Sequence, residues 1–493
     1  MTTPRIAIIG AGPTGLGAAW RLTELGHHRW DLFEAQRHCG GLATSHVDGQ
    51  GFVWDVGGHV VFSHYAYFDG LLDFLLGDAW IHHAREAWVW MRDRFIPYPF
   101  QNNIWRLPKD DLVACLDGLL KVQLRGAERP ANFQQWILQN FGQGLADVFM
   151  LPYNFKVWAH DPAEISTQWM GERVTTVDLA KVLRNLVLEQ DDVSWGPNST
   201  FRFPAHGGTG AIWGALTDCL PRERVHFSSP VARIETAERI LVLSDGRRVP
   251  YDALISTMPL DRSLAISDCP ELAQTAARLK HSSTHVVGVG MEGQPPAALA
   301  TKCWMYFPEP QFPFYRVTVF SNYSPNNVPQ PGRQWSLMAE VSESAQRPVD
   351  HRSVVSSTIA GLRAAKLIPD GTQICSTHHQ RLEYGYPTPS TERDSILREV
   401  LPRLESRNVY SRGRFGAWKY EVANQDHSLM QGVEAVDRIL YGVEELTVQF
   451  PNAVNAGKNV GRPWRGGQVR GNGDKLAALH FGLPDQRAER MAA

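Results

Sequence analysis

The run Ile8-Ile9-Gly10-Ala11-Gly12-Pro13-Thr14-Gly15 constrains this chain more than any other segment. It follows the apolar residues Ile6 to Ile9 and opens a helical pattern from Leu16 to Leu25. Gly10 permits a tight turn, Gly12 lets backbone approach a pyrophosphate, and Gly15 lets the helix pack on the strand. The helix N-terminus, with Thr14 in its first turn, supplies free N–H groups and the positive end of a dipole for phosphate. A second strand, Trp30 to Phe33, ends at Glu34, about 20 residues beyond the glycines, where an acid can hold a ribose hydroxyl. Strand, turn, helix, strand and acid together read as a dinucleotide-binding βαβ unit rather than a purely structural glycine turn.

At 493 residues the chain predicts two or three domains. A formal net charge of −2 gives no electrostatic footprint for nucleic acid or an anionic membrane, so contacts to phosphate must be local. Six cysteines without a CxxC argue against a zinc site or a disulfide framework and fit a reducing compartment. The N-terminal apolar run is too short for a signal peptide, and no apolar stretch has the length of a membrane span. The expectation is a soluble cytoplasmic protein without a metal.

Residues 1 to about 80 read as a βαβ unit with added loops. Helical spacing follows over Asp110–Leu124, Phe133–Phe141, Leu145–Met150 and Asp178–Glu189. Strands return at 225–227, 232–234 and 240–243, with Ser244-Asp245-Gly246 as a hairpin turn and 254–257 as a buried strand. Alternating segments such as 285–289 and 314–320 predict half-buried antiparallel strands between about 282 and 410. Helices are expected at 433–440 and 475–481. The predicted fold is α/β with mixed α+β character: a Rossmann-type domain (1–80, 206–262 and 410–485), an inserted helical domain (108–200), and an antiparallel-sheet domain (81–107 and 263–409). Flavin enzymes commonly divide an FAD domain in this way, an analogy at the level of fold.

Two further glycine pairs, Gly40-Gly41-Leu42 and Gly57-Gly58-His59, let backbone pass close to a flat ligand, or form simple turns. His59 can face a flavin ring or serve as a structural histidine. Arg173 follows a helix beside Trp169, and Arg316 lies inside the apolar run Phe314–Phe320. An arginine there is costly unless paired or bound to an anion, so it belongs to an ion pair or, with Arg173, to a pyrophosphate clamp. Trp304 and Tyr306 share one strand face. The segments Tyr98–Asn103 and Tyr153–Trp158 mix aromatics with amides, a combination that stacks on a base or fills a core. No Ser-His-Asp elbow, HExxH, paired-carboxylate spacing or Walker loop is present, which removes hydrolase and kinase readings.

Longer motifs carry a resemblance. GAGPTGLGAAWRL, DVGGHVVFSHYAYFD, PYPFQNNI, PYNFKVWA, GERV, WGPNSTFRFPAHGGTG, SSTHVVGVG, CWMYFPE, PFYRVTVFSNYSP, GYPTP and SRGRFGAWKYEVANQDHS occur in that order. From about residue 5 to about residue 450 the chain resembles the UDP-galactopyranose mutases of the eukaryotic (fungal and protozoan) type. The resemblance implies FAD, active only when reduced. It implies interconversion of UDP-galactopyranose and UDP-galactofuranose through a sugar adduct at flavin N5, with no net redox change. Other readings of the scaffold are a mutase for another UDP-sugar and an FAD-dependent amine oxidase-like oxidoreductase.

By the same resemblance, Arg173 and Arg316 clamp the pyrophosphate, and Tyr386 and Tyr420 add hydroxyl contacts. Tyr98, Phe100, Gln101, Asn154 and Trp158 hold the uridine. Phe62, Asn198, Trp304 and Tyr306 enclose the galactose, and His59 lies near flavin N5. Gly41, Leu42, Gly58, Val231, Asn424, Gln425 and Ser428 join Gly10, Gly12, Thr14, Gly15 and Glu34 at the flavin. Arg85 and Arg414 match the positions that bind NADPH as direct reductant, whereas Ala87 stands where a serine is expected. The Gly/Arg-rich tail beyond Val454 departs from the family pattern, and no motif sets the oligomeric state.

Overall fold

The computed structural model describes residues 3–124, 129–171, 174, 176–193 and 199–457. Its first layer is a five-stranded parallel sheet in the order Val409–Ser411, Ala253–Ser256, Ile6–Ile9, Trp30–Phe33, Val225–His226. Four of these strands are buried at nearly every position, as expected of a parallel sheet covered on both faces. Helix Pro13–Glu24 lies on one face with helix Gln425–Tyr441 beside it, and Leu16, Ala18, Leu22, Leu429, Val433 and Val436 share their core.

Two glycines set how closely this helix approaches its neighbours. A Cβ on Gly15 would stand 1.8 Å from the Gly10 carbonyl oxygen, and one on Gly432 would stand 1.9 Å from that of Thr14. The fingerprint helix is therefore held against backbone on two sides.

The second layer is a seven-stranded sheet in the order Ile374–Pro387, His281–Glu292, Gln334–Glu343, Arg316–Val319, Trp304–Tyr306, Ala87–Met91, Arg94–Pro97. It is antiparallel except where Trp304–Tyr306 runs parallel to Ala87–Met91. The strand expected over 314–320 is shorter, Arg316–Val319, because a 3-10 turn begins at Phe320. Strand Trp80–Ala84 pairs separately with Thr200–Pro204.

Helices Lys109–Gln123, Phe133–Leu145, Leu151–Trp158 and Leu179–Leu188 form a third region around its own apolar core. The helix expected at 145–150 is a π-helical turn, Ala146–Met150, joining two helices. Buried Lys156 ties this region to the sheet by donating to the carbonyls of Phe307, Glu309 and Phe312. Burial pushes its pKa down to about 6. The helix expected at 433–440 begins earlier, at Gln425. The helix expected at 475–481 lies outside the described residues.

Replacing Gly432 by alanine forces the two helices apart. The expected cost is about 1–3 kcal/mol, read as a lower urea midpoint at unchanged m-value.

Candidate functional site

A cavity of about 610 Å³ opens between the carboxyl ends of the parallel strands and one face of the seven-stranded sheet. Its floor is built by the fingerprint. Gly10, Gly12, Pro13 and Thr14 line it, and helix Pro13–Glu24 begins there with no side-chain cap. Asn424, Gln425 and Ser428 bring a second helix start, also without a side-chain cap, to the same space. Two positive dipole ends therefore face one cavity, an arrangement suited to a doubly charged pyrophosphate. Glu34 lines the cavity beyond the second strand and accepts from the Ala11 and Gln36 amides at 2.6 and 2.8 Å.

Gly41, Leu42, Gly58, His59, Phe62 and Val231 complete this side. His59 Nδ1, Thr284 Oγ1 and Gln425 Nε2 are buried, belong to lining residues, and make no hydrogen bond among the described residues. Buried polar atoms without partners are expensive, and a polar flat ligand would satisfy them. Burial holds the His59 pKa down to about 4; Glu340 opposes this, while Arg414 and Arg316 reinforce it. The ring is neutral at physiological pH.

The opposite wall comes from strand register. Tyr306, Arg316 and Glu340 are direct partners across three adjacent strands. Glu340 accepts from Arg316 Nε and Nη2, each at 2.8 Å, from the Gly58 amide at 3.0 Å, and from the Tyr315 hydroxyl at 2.5 Å. Burial works against the charge of Glu340, but Arg316, Tyr315 and the Gly58 amide more than offset it and hold its pKa below the usual range. Arg316 remains cationic for the reciprocal reason. Its two sequence readings thus coexist: it is ion-paired and it lines the cavity.

Trp304, Tyr306, Tyr386, Tyr420, Arg85 and Arg414 also line the wall. Arg85 stands over the rings of Trp304 and Tyr98 at 5.2 and 5.3 Å, and Arg414 over Tyr386 at 4.9 Å. Gly15 packs behind the turn instead of lining it. Tyr98, Phe100, Gln101, Asn154 and Trp158 are not lining residues either. They stand behind the wall: Phe100 stacks on Phe149, Phe149 on Tyr153, and Tyr153 and Tyr98 meet Tyr306. Trp158 meets Tyr386 and Tyr420, and the Asn154 amide donates to the Met150 carbonyl of the preceding π turn. Phe100 and Trp158 belong to the apolar core of the helical region, with Tyr98 packed against it. Arg173 and Asn198 lie outside the described residues.

The sequence reading passed over Glu340, Thr284 and Tyr384, all lining residues. Glu340 had a signal: it is the lone charge in the apolar run Trp335–Val341, as Arg316 is in its own strand. Two isolated opposite charges in apolar strands are natural partners.

Glu340→Ala leaves the Arg316 charge uncompensated and is expected to cost about 3–5 kcal/mol. In the double variant with Arg316→Ala, urea titration should give a smaller loss than the sum of the single ones; simple additivity would disprove the coupling. His59 makes a second expectation. Between pH 6.5 and about 4 the unfolded chain takes a proton that the folded chain refuses, so this residue lowers stability as pH falls through that window. Urea midpoints from pH 7 to 4.5 should therefore fall less steeply for His59→Ala than for the parent chain.

The sequence matches the flavin containing amine oxidoreductase family over residues 13–440. The fold is similar to that of a reduced UDP-galactopyranose mutase, with a TM-score of 0.90 and 50% identity, covering 92% of this chain and 98% of that one. It is also similar to cyclohexylamine oxidase from Brevibacterium oxydans (TM-score 0.65, 15% identity, 90% and 99% covered). A fatty acid isomerase from P. acnes gives a TM-score of 0.61 at 16% identity, with 89% and 99% covered. The two distant likenesses speak for the fold alone. Family match, cavity and close structural likeness agree: this chain belongs to the flavin-containing amine oxidoreductases and, within them, to the UDP-galactopyranose mutases.

Proposed function

We propose that this chain interconverts UDP-galactopyranose and UDP-galactofuranose with reduced FAD held in the cavity. The observation that carries this reading is 50% identity over 92% of the chain to a protein named as a reduced UDP-galactopyranose mutase. The unpartnered polar atoms and paired helix starts described above fit FAD. Gly10, Gly12, Thr14, Glu34, Gly41, Leu42, Gly58, Val231, Asn424, Gln425 and Ser428 hold the cofactor, with Gly15 keeping the turn closed behind it. When bound and reduced, FAD supplies an electron-rich N5 nucleophile for the anomeric carbon.

The chain's own residues act on the leaving group. Arg316, kept cationic and oriented by Glu340, neutralises charge developing on the departing diphosphate. Arg173 is its partner in the clamp, and Tyr386 and Tyr420 add hydroxyl donors. Phe62, Asn198, Trp304 and Tyr306 enclose the sugar, and neutral His59 borders the ring system. Tyr98, Phe100, Gln101, Asn154 and Trp158 hold the uridine. NADPH is the reductant, received by Arg85 and Arg414, and the chain is of the eukaryotic type. Three units divide this work: the discontinuous FAD-binding domain, the helical domain and the sheet domain, with the bounds expected from the sequence.

We also place the protein in the cytoplasm. All six cysteines are free, consistent with a reducing compartment. Among the described residues no helix is long and apolar enough to cross a membrane.

The purified yellow protein is incubated with UDP-galactofuranose, with and without dithionite, and the sugar nucleotide is chromatographed. UDP-galactopyranose should appear only in the reduced sample. Arg316→Ala should lower kcat/KM by a factor matching roughly 3–4 kcal/mol. Conversion by the oxidised protein would refute the reduced-flavin requirement. Stoichiometric hydrogen peroxide with an amine substrate would favour the oxidase reading instead.

A further inference from the structure

Strand His281–Glu292 presents alternate residues to opposite faces of its sheet. Thr284 lines the cavity, and His285 points to the other side. There His285 Nε2 lies 3.2 Å from Glu343 Oε2, and His351 Nε2 lies 2.6 Å from Glu343 Oε1. The ligand-capable atoms of these three residues all lie within 4.8 Å of one another. We propose that His285, Glu343 and His351 form a site for a divalent transition metal ion of the zinc class.

The donor set suits that ion. Two imidazoles and a carboxylate favour zinc, cobalt, nickel or copper over calcium or magnesium, which prefer oxygen. In a tetrahedral zinc site with bonds of about 2.0–2.1 Å, ligand atoms lie roughly 3.3 Å apart; here the three ligand atoms lie within 4.8 Å of one another, so shifts of less than about 2 Å bring them to that spacing.

The outer contacts are those a metal site uses. His285 Nδ1 lies 3.0 Å from His379 Nε2, with the two rings stacked 5° from parallel. A second partner on the far ring nitrogen fixes the tautomer and orientation of a ligating histidine. Arg381 Nε donates to Glu343 Oε2 at 2.6 Å and its Nη2 to Ser283 Oγ at 3.0 Å, which orients the carboxylate. An Arg381–Glu343 ion pair alone leaves three converging histidines unexplained, of which His285 has a fully buried side chain.

The location defines the role. Glu343 ends its strand, and His351 lies in the turn before helix Val354–Ala364. An ion here clips that turn to two central strands of the sheet. The His351 side chain is 51% exposed, which gives the ion an entry path and leaves room for water as a further ligand. The only other such cluster among the described residues is His64, Asp426 and His427. That cluster is closed to solvent, with the His64 and Asp426 side chains 6% and 0% exposed and His427 fully buried, so it offers an ion no entry path.

The test uses untagged, FAD-loaded protein stripped with EDTA, dialysed against zinc chloride and then against metal-free buffer. Elemental analysis should find about one zinc per chain, and thermal melting should shift upward by several degrees on loading. Calcium chloride should be neither retained nor shift the melting. His351→Ala and Glu343→Gln should retain no zinc, and neither should show the shift. No retained zinc in the parent chain, or equal retention in both variants, would overturn the proposal. Because the site faces away from the cavity, neither result depends on the mutase assay.

Discussion

The ion pair between Arg316 and Glu340 is the contact on which the site's geometry depends. A guanidinium inside an apolar sheet is tolerated only when its charge is answered nearby, and a single carboxylate answers it from the next strand. That carboxylate also takes the amide of Gly58, from a loop belonging to the other layer, and the hydroxyl of Tyr315. One side chain thus joins the sheet wall, the loop that carries His59 and the tyrosines behind the wall. Because Glu340 is fully engaged, Arg316 keeps a defined position and stays charged, two properties required to meet an anion without reorganisation.

The dinucleotide side works by a different economy. It presents backbone at two helix starts that lack side-chain caps. Close packing of the helices at Gly432, against the Thr14 carbonyl, fixes those starts relative to each other, and Gly15 holds the first helix on its own turn. Backbone donors held by buried helices cannot turn away, so this half of the cavity is rigid by construction. The opposite wall is built of side chains: Arg316, Trp304, Tyr306, Tyr386 and Tyr420 line it.

Legibility in the sequence followed the same division. The glycine turn, Glu34 and strands at 6–9, 30–33 and 254–257, the last observed one residue earlier at Ala253–Ser256, could be read locally, because each is a contiguous pattern with a steric reason. Arg316 stood out as a charge in an apolar strand. Its partner did not, because strand register is a long-range property that local spacing does not encode. Phe100 and Trp158 illustrate the converse. Their segments left base stacking and core filling both open; both rings are buried among aromatics, and the same residue types serve either purpose. The π turn at Ala146–Met150 carried apolar helical spacing and so read as an ordinary helix.

The parallel sheet draws its strands from both ends of the chain, with Val409–Ser411 at one edge and the covering helix later still, at Gln425–Tyr441. During synthesis the fingerprint strand therefore emerges long before the elements that shield it. At about 5–20 residues per second, roughly 20 to 80 seconds separate them. Throughout that interval Leu16, Ala18 and Leu22 lack Leu429, Val433 and Val436 of the covering helix, so the nascent chain carries exposed apolar surface. Assembly of this protein is therefore dominated by contacts distant in sequence, a topology that folds slowly. The nucleotide cradle, first to be made, is among the last parts to close.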